Sequence, residues 1–293
     1  VYALEAIACI GRRAGQGEGR TAAVRALLKA VSSPDETIRK TALRGLAMLA
    51  PRSDAIEPLF RRLTGPRSEL ALVLARTGCP SAARAIGELV GSAKPTELWM
   101  AAVAAACLAP GERAALLARV RSRAEAIQRP EVGALLASGL DWLERGGVDG
   151  REVWAAPTGA WLPTGLVLSR GDRFRLVARG LTACRTGGSG LASSEIEGAG
   201  ERAADVAGPD GLPVHVNTEL RAQALLARVG RHEIPAAGED GTVHVAQDSG
   251  PLLVRIGATE FGGREDLMLF ILQDRIGSLR HAGLVLVKAE LVQ

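Results

Sequence analysis

Of 293 residues, 47% are hydrophobic and 23% charged, and the formal net charge is +4. That much apolar material excludes a disordered chain and is enough for one large domain or two ordinary ones. Residues 1–150 carry 21 Lys and Arg against 15 Asp and Glu, and the remainder 15 against 17; the arginines are scattered rather than drawn into one stripe, which argues against a nucleic-acid partner.

The chain opens in helical phase with VYALEAIACIGRR, where Leu4, Ile7 and Ala8 share a face. It starts without Met and lacks the basic leader and cleavage site of a signal peptide, so further residues are expected upstream. From here to about residue 145 one unit recurs: a proline, an acidic or polar residue, an amphipathic helix, a short break and a second helix. The clearest copies are SPDETIRKTALRGLAMLAP, GPRSELALVLARTGCP, KPTELWMAAVAAACLAP and RPEVGALLASGLDWLERGG. Their leading prolines, Pro34, Pro66, Pro95 and Pro130, are spaced by 32, 29 and 35 residues. Proline in a first turn sacrifices no helical hydrogen bond, and the carboxylates behind it favour the positive helix N-terminus. Ile38, Leu43, Leu46 and Leu49, and again Leu135, Leu136, Leu140 and Leu143, then recur at helical spacing. TAAVRALLKAVSS, DAIEPLFRRLTG, SAARAIGELVGS and GERAALLARVRSR are the partner helices. A hairpin this small cannot bury its apolar face alone, so neighbours must stack, which predicts an α-solenoid.

At LERGGVDGREVW the helical pattern stops, and Gly146, Gly147 and Gly150 mark a linker. Beyond it the period becomes two. Phe174, Leu176 and Ala178 alternate with Arg173, Arg175 and Arg179, and Val243 and Val245 alternate with His244. PLLVRIG, EDLMLFILQD and GLVLVKAELV are apolar runs that suit buried strands, while residues 184–213 form a Gly/Ala/Ser-rich excursion expected to be a long surface loop. The hexapeptide ALLARV occurs twice, at 115–120 and 224–229. The first copy continues into RSRAEA and belongs to a helix. The second, in TELRAQALLARVG, fits an amphipathic helix or a strand stopped by Gly230; its β-patterned surroundings favour the strand.

Two resemblances follow from these segments. The helical half resembles HEAT repeats, in particular the short bacterial type also found in phycobilin lyases. The order TGLVLSRGDRFRLVARG, GPDGLP, ALLARVG, PLLVRIG and LMLFILQD…GLVLV resembles the PA-I galactophilic lectin family over roughly 152–293. This second resemblance implies a small β-sandwich in which ALLARV at 224–229 is a core strand. It also implies a calcium loop beginning at Asp274, with Ser278 as the hydroxyl residue four places on. Leu279, Arg280 and His281 stand where that family places its asparagines, and the chain's sole tyrosine is Tyr2. Asp210 occupies the family's Pro-Asp position but is flanked by Gly208 and Gly211 rather than the sugar-contacting His and Gln. Asp210, Asp274 and Ser278 are therefore the ligand-binding candidates, the last two as calcium ligands, in a site short of the six to eight oxygens that calcium takes. The alternative for each aspartate is a solvated side chain that starts a turn.

Other chemistry is thin. His215 and His244 lie on predicted strands where they could meet across a sheet and bind a metal, the alternative being two solvent-facing imidazoles, and HEIPA at 232–236 has Ala236 where a zinc-protease helix needs its second histidine. TGGSG at 186–190 lacks the framework of a nucleophile elbow or a phosphate loop. Cys9, Cys79, Cys107 and Cys184 form no C-x-x-C pair, which suits a reducing, cytoplasmic setting. Trp154 and Trp161 border the linker and are expected to pack the two domains together. The expected fold class is multi-domain α plus β: an α-solenoid over 1–145, a linker at 146–152 and an all-β, jelly-roll or lectin-like sandwich over 153–293. The expected function is non-enzymatic recognition, with the solenoid docking a protein partner and the sandwich serving as a second binding or assembly module. Alternatives are a carbohydrate-binding lectin on a helical arm and, from another class, an enzyme subunit of the phycobilin-lyase sort. No cofactor is expected beyond the calcium that the lectin resemblance implies.

Overall fold

The computed structural model describes residues 2–15, 17–51, 56, 67–92, 94–128, 130–146, 148, 152–155, 161–185, 206–207, 212–213, 221–222, 225–235, 242–256 and 280–292. The chain divides into two compact units, Val1–Trp154 and Ala155–Gln293.

In the first unit the described helices are α1 (Tyr2–Arg13), α2 (Glu18–Ala30), α3 (Glu36–Leu49), α4 (Arg67–Thr77), α5 (Ala82–Val90), α6 (Pro95–Ala106), α7 (Pro110–Glu125) and α8 (Pro130–Gly146). The predicted partner helix at 54–65 lies outside the described residues apart from Ile56. Prolines open α6, α7 and α8, where their missing N–H costs nothing. Asp35 caps α3, its carboxylate accepting from the main-chain N–H groups of Thr37 at 2.7 Å and Ile38 at 3.3 Å. At the far end of that helix the guanidinium of Arg20 donates to the carbonyl of Leu49.

The helices pack in an overlapping series. α1 lies against α2 and α3, α3 against α4, α4 against α5 and α6, and α6 against α5, α7 and α8. α6 therefore has neighbours on every side, and Leu98–Ala106 is buried without a break. Trp99 at its centre is fully buried, and a Cβ placed on Gly139 of α8 would lie 2.5 Å from its ring. Only glycine lets those two helices come this close. Leu27, Leu46, Leu72, Leu98, Leu117 and Leu136 fill the same core, each contributing roughly 1.5–3 kcal/mol by leaving water.

The second unit contains antiparallel sheets. In one, β3 (Arg173–Arg185) pairs with β11 (Arg280–Leu291) along its whole length, from Arg185 opposite Arg280 to Phe174 opposite Leu291. On its other edge β3 pairs with β4 (Val206–Ala207) and β9 (Val243–Val245). The other main sheet has the order β2 (Leu162–Leu168), β10 (Gly250–Ile256), β7 (Leu225–Val229), β8 (His232–Pro235). A short pair, β5 (Leu212–Pro213) with β6 (Arg221–Ala222), completes the described strands of this unit, and β1 (Val153–Ala155) spans the division between the units. Phe174, Leu176 and Ala178 face the interior of the unit from the first sheet, and Leu162, Leu168, Leu225, Ala227, Val229, Leu252, Val254 and Ile256 are buried in the second.

ALLARV thus has two conformations. Residues 115–120 lie within α7, and Leu225–Val229 form β7 with alternate side chains buried. The predicted EDLMLFILQD strand and most of the Gly/Ala/Ser-rich excursion lie outside the described residues. No helix among the described residues is long and apolar enough to cross a membrane.

Candidate functional site

The β7–β10 register creates the most distinctive surface of the second unit. Arg228 stands opposite Leu253, and Arg255 opposite Leu226, so both arginines occupy the face turned away from the buried residues. Leu162 pairs with Val254, which brings Trp161, the residue before β2, alongside Arg255. The guanidinium carbons of Arg255 and Arg228 lie 4.2 and 4.4 Å from the centroid of the half-buried Trp161 ring. On β8, Glu233 stands opposite Arg228 and reaches both guanidiniums, at 3.6 Å to Arg255 and 4.0 Å to Arg228. Pro163 and Leu253 continue the same face.

The electrostatics follow from the contacts. Arg255 keeps only 11% of its side chain exposed, which is sustainable because the indole face and the Glu233 carboxylate both favour the cation. The buried Nε of Arg228 has no hydrogen-bond partner among the described residues. An aromatic ring, two oriented planar forks and a carboxylate can grip a ligand by stacking and by paired hydrogen bonds. From the sequence, Trp161 was expected to pack the domains together, and the two arginines carried no assignment. A signal was present: LLARV and LLVRI share the pattern Leu-Leu-x-Arg-Val/Ile in two strands that turn out to be neighbours. Trp154, by contrast, stacks on Arg76 at 5.4 Å within the first unit. Each of these two tryptophans therefore packs with arginine inside its own unit.

Asp210, Asp274 and Ser278, the candidates from the lectin resemblance, lie outside the described residues, as do His215, Leu279 and the TGGSG run. Arg280 and His281 begin β11, opposite Arg185 and Cys184. HEIPA is strand from His232 to Pro235, which removes any likeness to a zinc-protease helix. His244 stacks on Phe174 with ring centroids 5.4 Å apart, and its burial holds the imidazole below its ordinary pKa. Among the described residues no cluster of three or more His, Cys, Asp and Glu could hold a metal ion. Burial also pushes the Cys107 thiol up to about 12 and raises that of Cys9, so neither is an activated nucleophile.

A second cluster ties three turns together. The main-chain N–H of Arg231 donates to Asp248 Oδ2 at 3.1 Å, and that of Ser249 to Oδ1 at 2.8 Å. Arg170 donates from its main chain to Ser249 Oγ at 2.9 Å, and Gly171 and Ala246 link the same loops at 2.8 Å. The hydrogen bond from Arg231, followed by that from Ser249, holds the Asp248 carboxyl below the usual carboxylate range. A carboxyl with a depressed folded pKa contributes stability that is fully present above its unfolded value and is lost as the pH falls through the folded one. Asp248→Asn is therefore expected to lower the melting temperature at neutral pH and to flatten its decline between neutral and acid pH. A melting series across that range, wild type against variant, checks both parts.

No protein-family model matches the chain, and no curated protein does. Among solved structures a lectin domain is similar. It is the EclA N-terminal domain, a PllA-like lectin, with a TM-score of 0.27 and 18% identity over 48% of this chain and 98% of that one.

Proposed function

We propose that the chain is a non-enzymatic recognition protein whose β unit binds a carbohydrate on the face around Trp161. The observation that carries this reading is the half-buried indole held beside Arg228 and Arg255, with Glu233 bridging the two guanidiniums. This set of groups is suited to holding a polar ring rather than to moving protons or electrons. In this reading the β unit is a lectin-like sandwich, and the helical unit is a solenoid of HEAT-type hairpins that docks a protein partner. Support for the docking role comes from an open cleft of ≈ 390 Å³ between α7 and α8. Ala124, Ala134, Ala137 and Leu140 line it, with Arg121 and Glu125 also present, and this mixture suits an apolar side chain of a partner. The free thiols Cys9, Cys79 and Cys107 suit the reducing, cytoplasmic location that we assign.

A glycan array probed with the whole chain, with calcium and again with chelator, tests the reading. We expect a sugar signal that survives the chelator and falls about tenfold or more in Trp161→Ala, as for a tryptophan at the centre of a binding surface. Trp161→Phe should retain part of it. A blank array, or equal signals from wild type and Trp161→Ala, would sink the assignment. A signal that requires calcium would instead transfer the site to Asp210, Asp274 and Ser278.

A further inference from the structure

A different surface, on the sheet built around β3, carries an independent assignment. Phe174, Leu176 and Ala178 point inward from β3, so Arg173, Arg175 and Val177 point outward. Across the strand pairing, Lys288 stands opposite Val177 and Glu290 opposite Arg175 on β11. On the other side Val245 and Val243 of β9 stand opposite Arg173 and Arg175. The notable feature is how the charges are used. Glu290 contacts Lys288 at 3.6 Å, not the arginine opposite it, while Arg173 and Arg175 are exposed and make no side-chain hydrogen bond or ion pair among the described residues. Alternate residues on a strand are about 6.5 Å apart, so the cations from Arg173 to Lys288 cover about 13 Å along the sheet.

We infer that this face binds a linear carboxylate-bearing polysaccharide laid along β3. Charge complementarity selects an anion, and a guanidinium fork that no described residue engages matches a carboxylate through two parallel hydrogen bonds. Among the described residues the exposed part of the face includes no aromatic ring, the stacking platform that single-stranded nucleic acids use. A pleated face also presents no protruding helix or ribbon to enter a duplex groove. An extended polyuronate needs only spaced cations on an open surface. Val243 and Val245, the latter 51% exposed, offer the apolar strip against which sugar C–H groups rest.

The test is retention of the whole chain on immobilised polygalacturonate, with neutral dextran and poly(dT) as comparisons. The chain should bind the polyuronate and not the dextran. Its affinity should fall roughly tenfold or more between 50 and 200 mM salt, as expected when a few fixed ion contacts are screened. Arg173→Gln/Arg175→Gln, at exposed positions that leave the melting temperature unchanged, should weaken binding about tenfold or more, and Lys288→Gln should weaken it less. Equal retention of the arginine variant, absence of polyuronate binding, or poly(dT) bound as tightly as polyuronate would each overturn the assignment. Trp161→Ala should leave this binding intact, so failure at one surface is distinguishable from failure at the other.

Discussion

Gly180→Ala should destabilise the β unit by about 3 kcal/mol, a loss of roughly 10 °C in its melting temperature. Two effects act together. Gly180 has φ +155°, a backbone conformation that residues with a Cβ rarely adopt. Its α-carbon also lies directly against β11, where a Cβ would collide with the carbonyl oxygen of Leu284 and sit 2.7 Å from the α-carbon of Val285. Those are backbone atoms in the middle of a twelve-residue strand, so no rotamer change relieves the clash. The comparison that separates strain from collision is Gly171→Ala. Gly171 has φ +95° but nothing within 4 Å of its would-be Cβ, so its replacement carries only the conformational term, about 1 kcal/mol. Thermal unfolding of both variants, followed by strand signal, decides. Equal losses would mean that close approach at Gly180 contributes nothing.

The helical half was the more legible because its signals are local. A proline and an acidic residue mark the starts of α3, α4, α6, α7 and α8, and a period near 3.6 sets the buried faces, so Asp35 capping α3 and the buried Leu136–Leu140–Leu143 stripe follow from neighbours in the chain. The β unit depends on residues far apart in sequence. Alternation shows that His244 and Val245 point to opposite sides, but not which side is interior; His244 lies against Phe174 while Val245 is half exposed. ALLARV makes the same point with identical residues. The first copy belongs to α7, a helix packed against α5, α6 and α8, whereas the second is pinned in β7 by pairing with β10 and β8. The Trp161 cluster was least legible. It exists because Leu253 aligns with Arg228 and Val254 with Leu162, and a one-residue slip would send both arginines inward.

Glu69→Leu should destabilise the helical unit by about 3–5 kcal/mol, yet Arg44→Leu/Glu69→Leu together should cost less than either single change. Arg44 of α3 and Glu69 of α4 meet at 2.7 Å with side-chain exposures of only 10% and 4%. Ser68 donates to the second carboxylate oxygen at 3.0 Å. Removing charges this deep from water is expensive, and their mutual attraction roughly offsets that penalty, so the pair adds little net stability. Its removal one partner at a time is another matter. The Glu69→Leu change removes the Glu69 carboxylate while leaving the guanidinium charge between the same two helices, whereas the double change replaces both charges with apolar volume. Urea denaturation of wild type, both single variants and the double, followed by helical signal, closes the cycle. A favourable coupling well above 1 kcal/mol is the expected outcome; single losses below about 1 kcal/mol, additive in the double, would show that water reaches the pair. The pair's value then lies in alignment. Apolar ridges tolerate sliding, but one buried charge that is satisfied in a single position fixes how α3 and α4 meet.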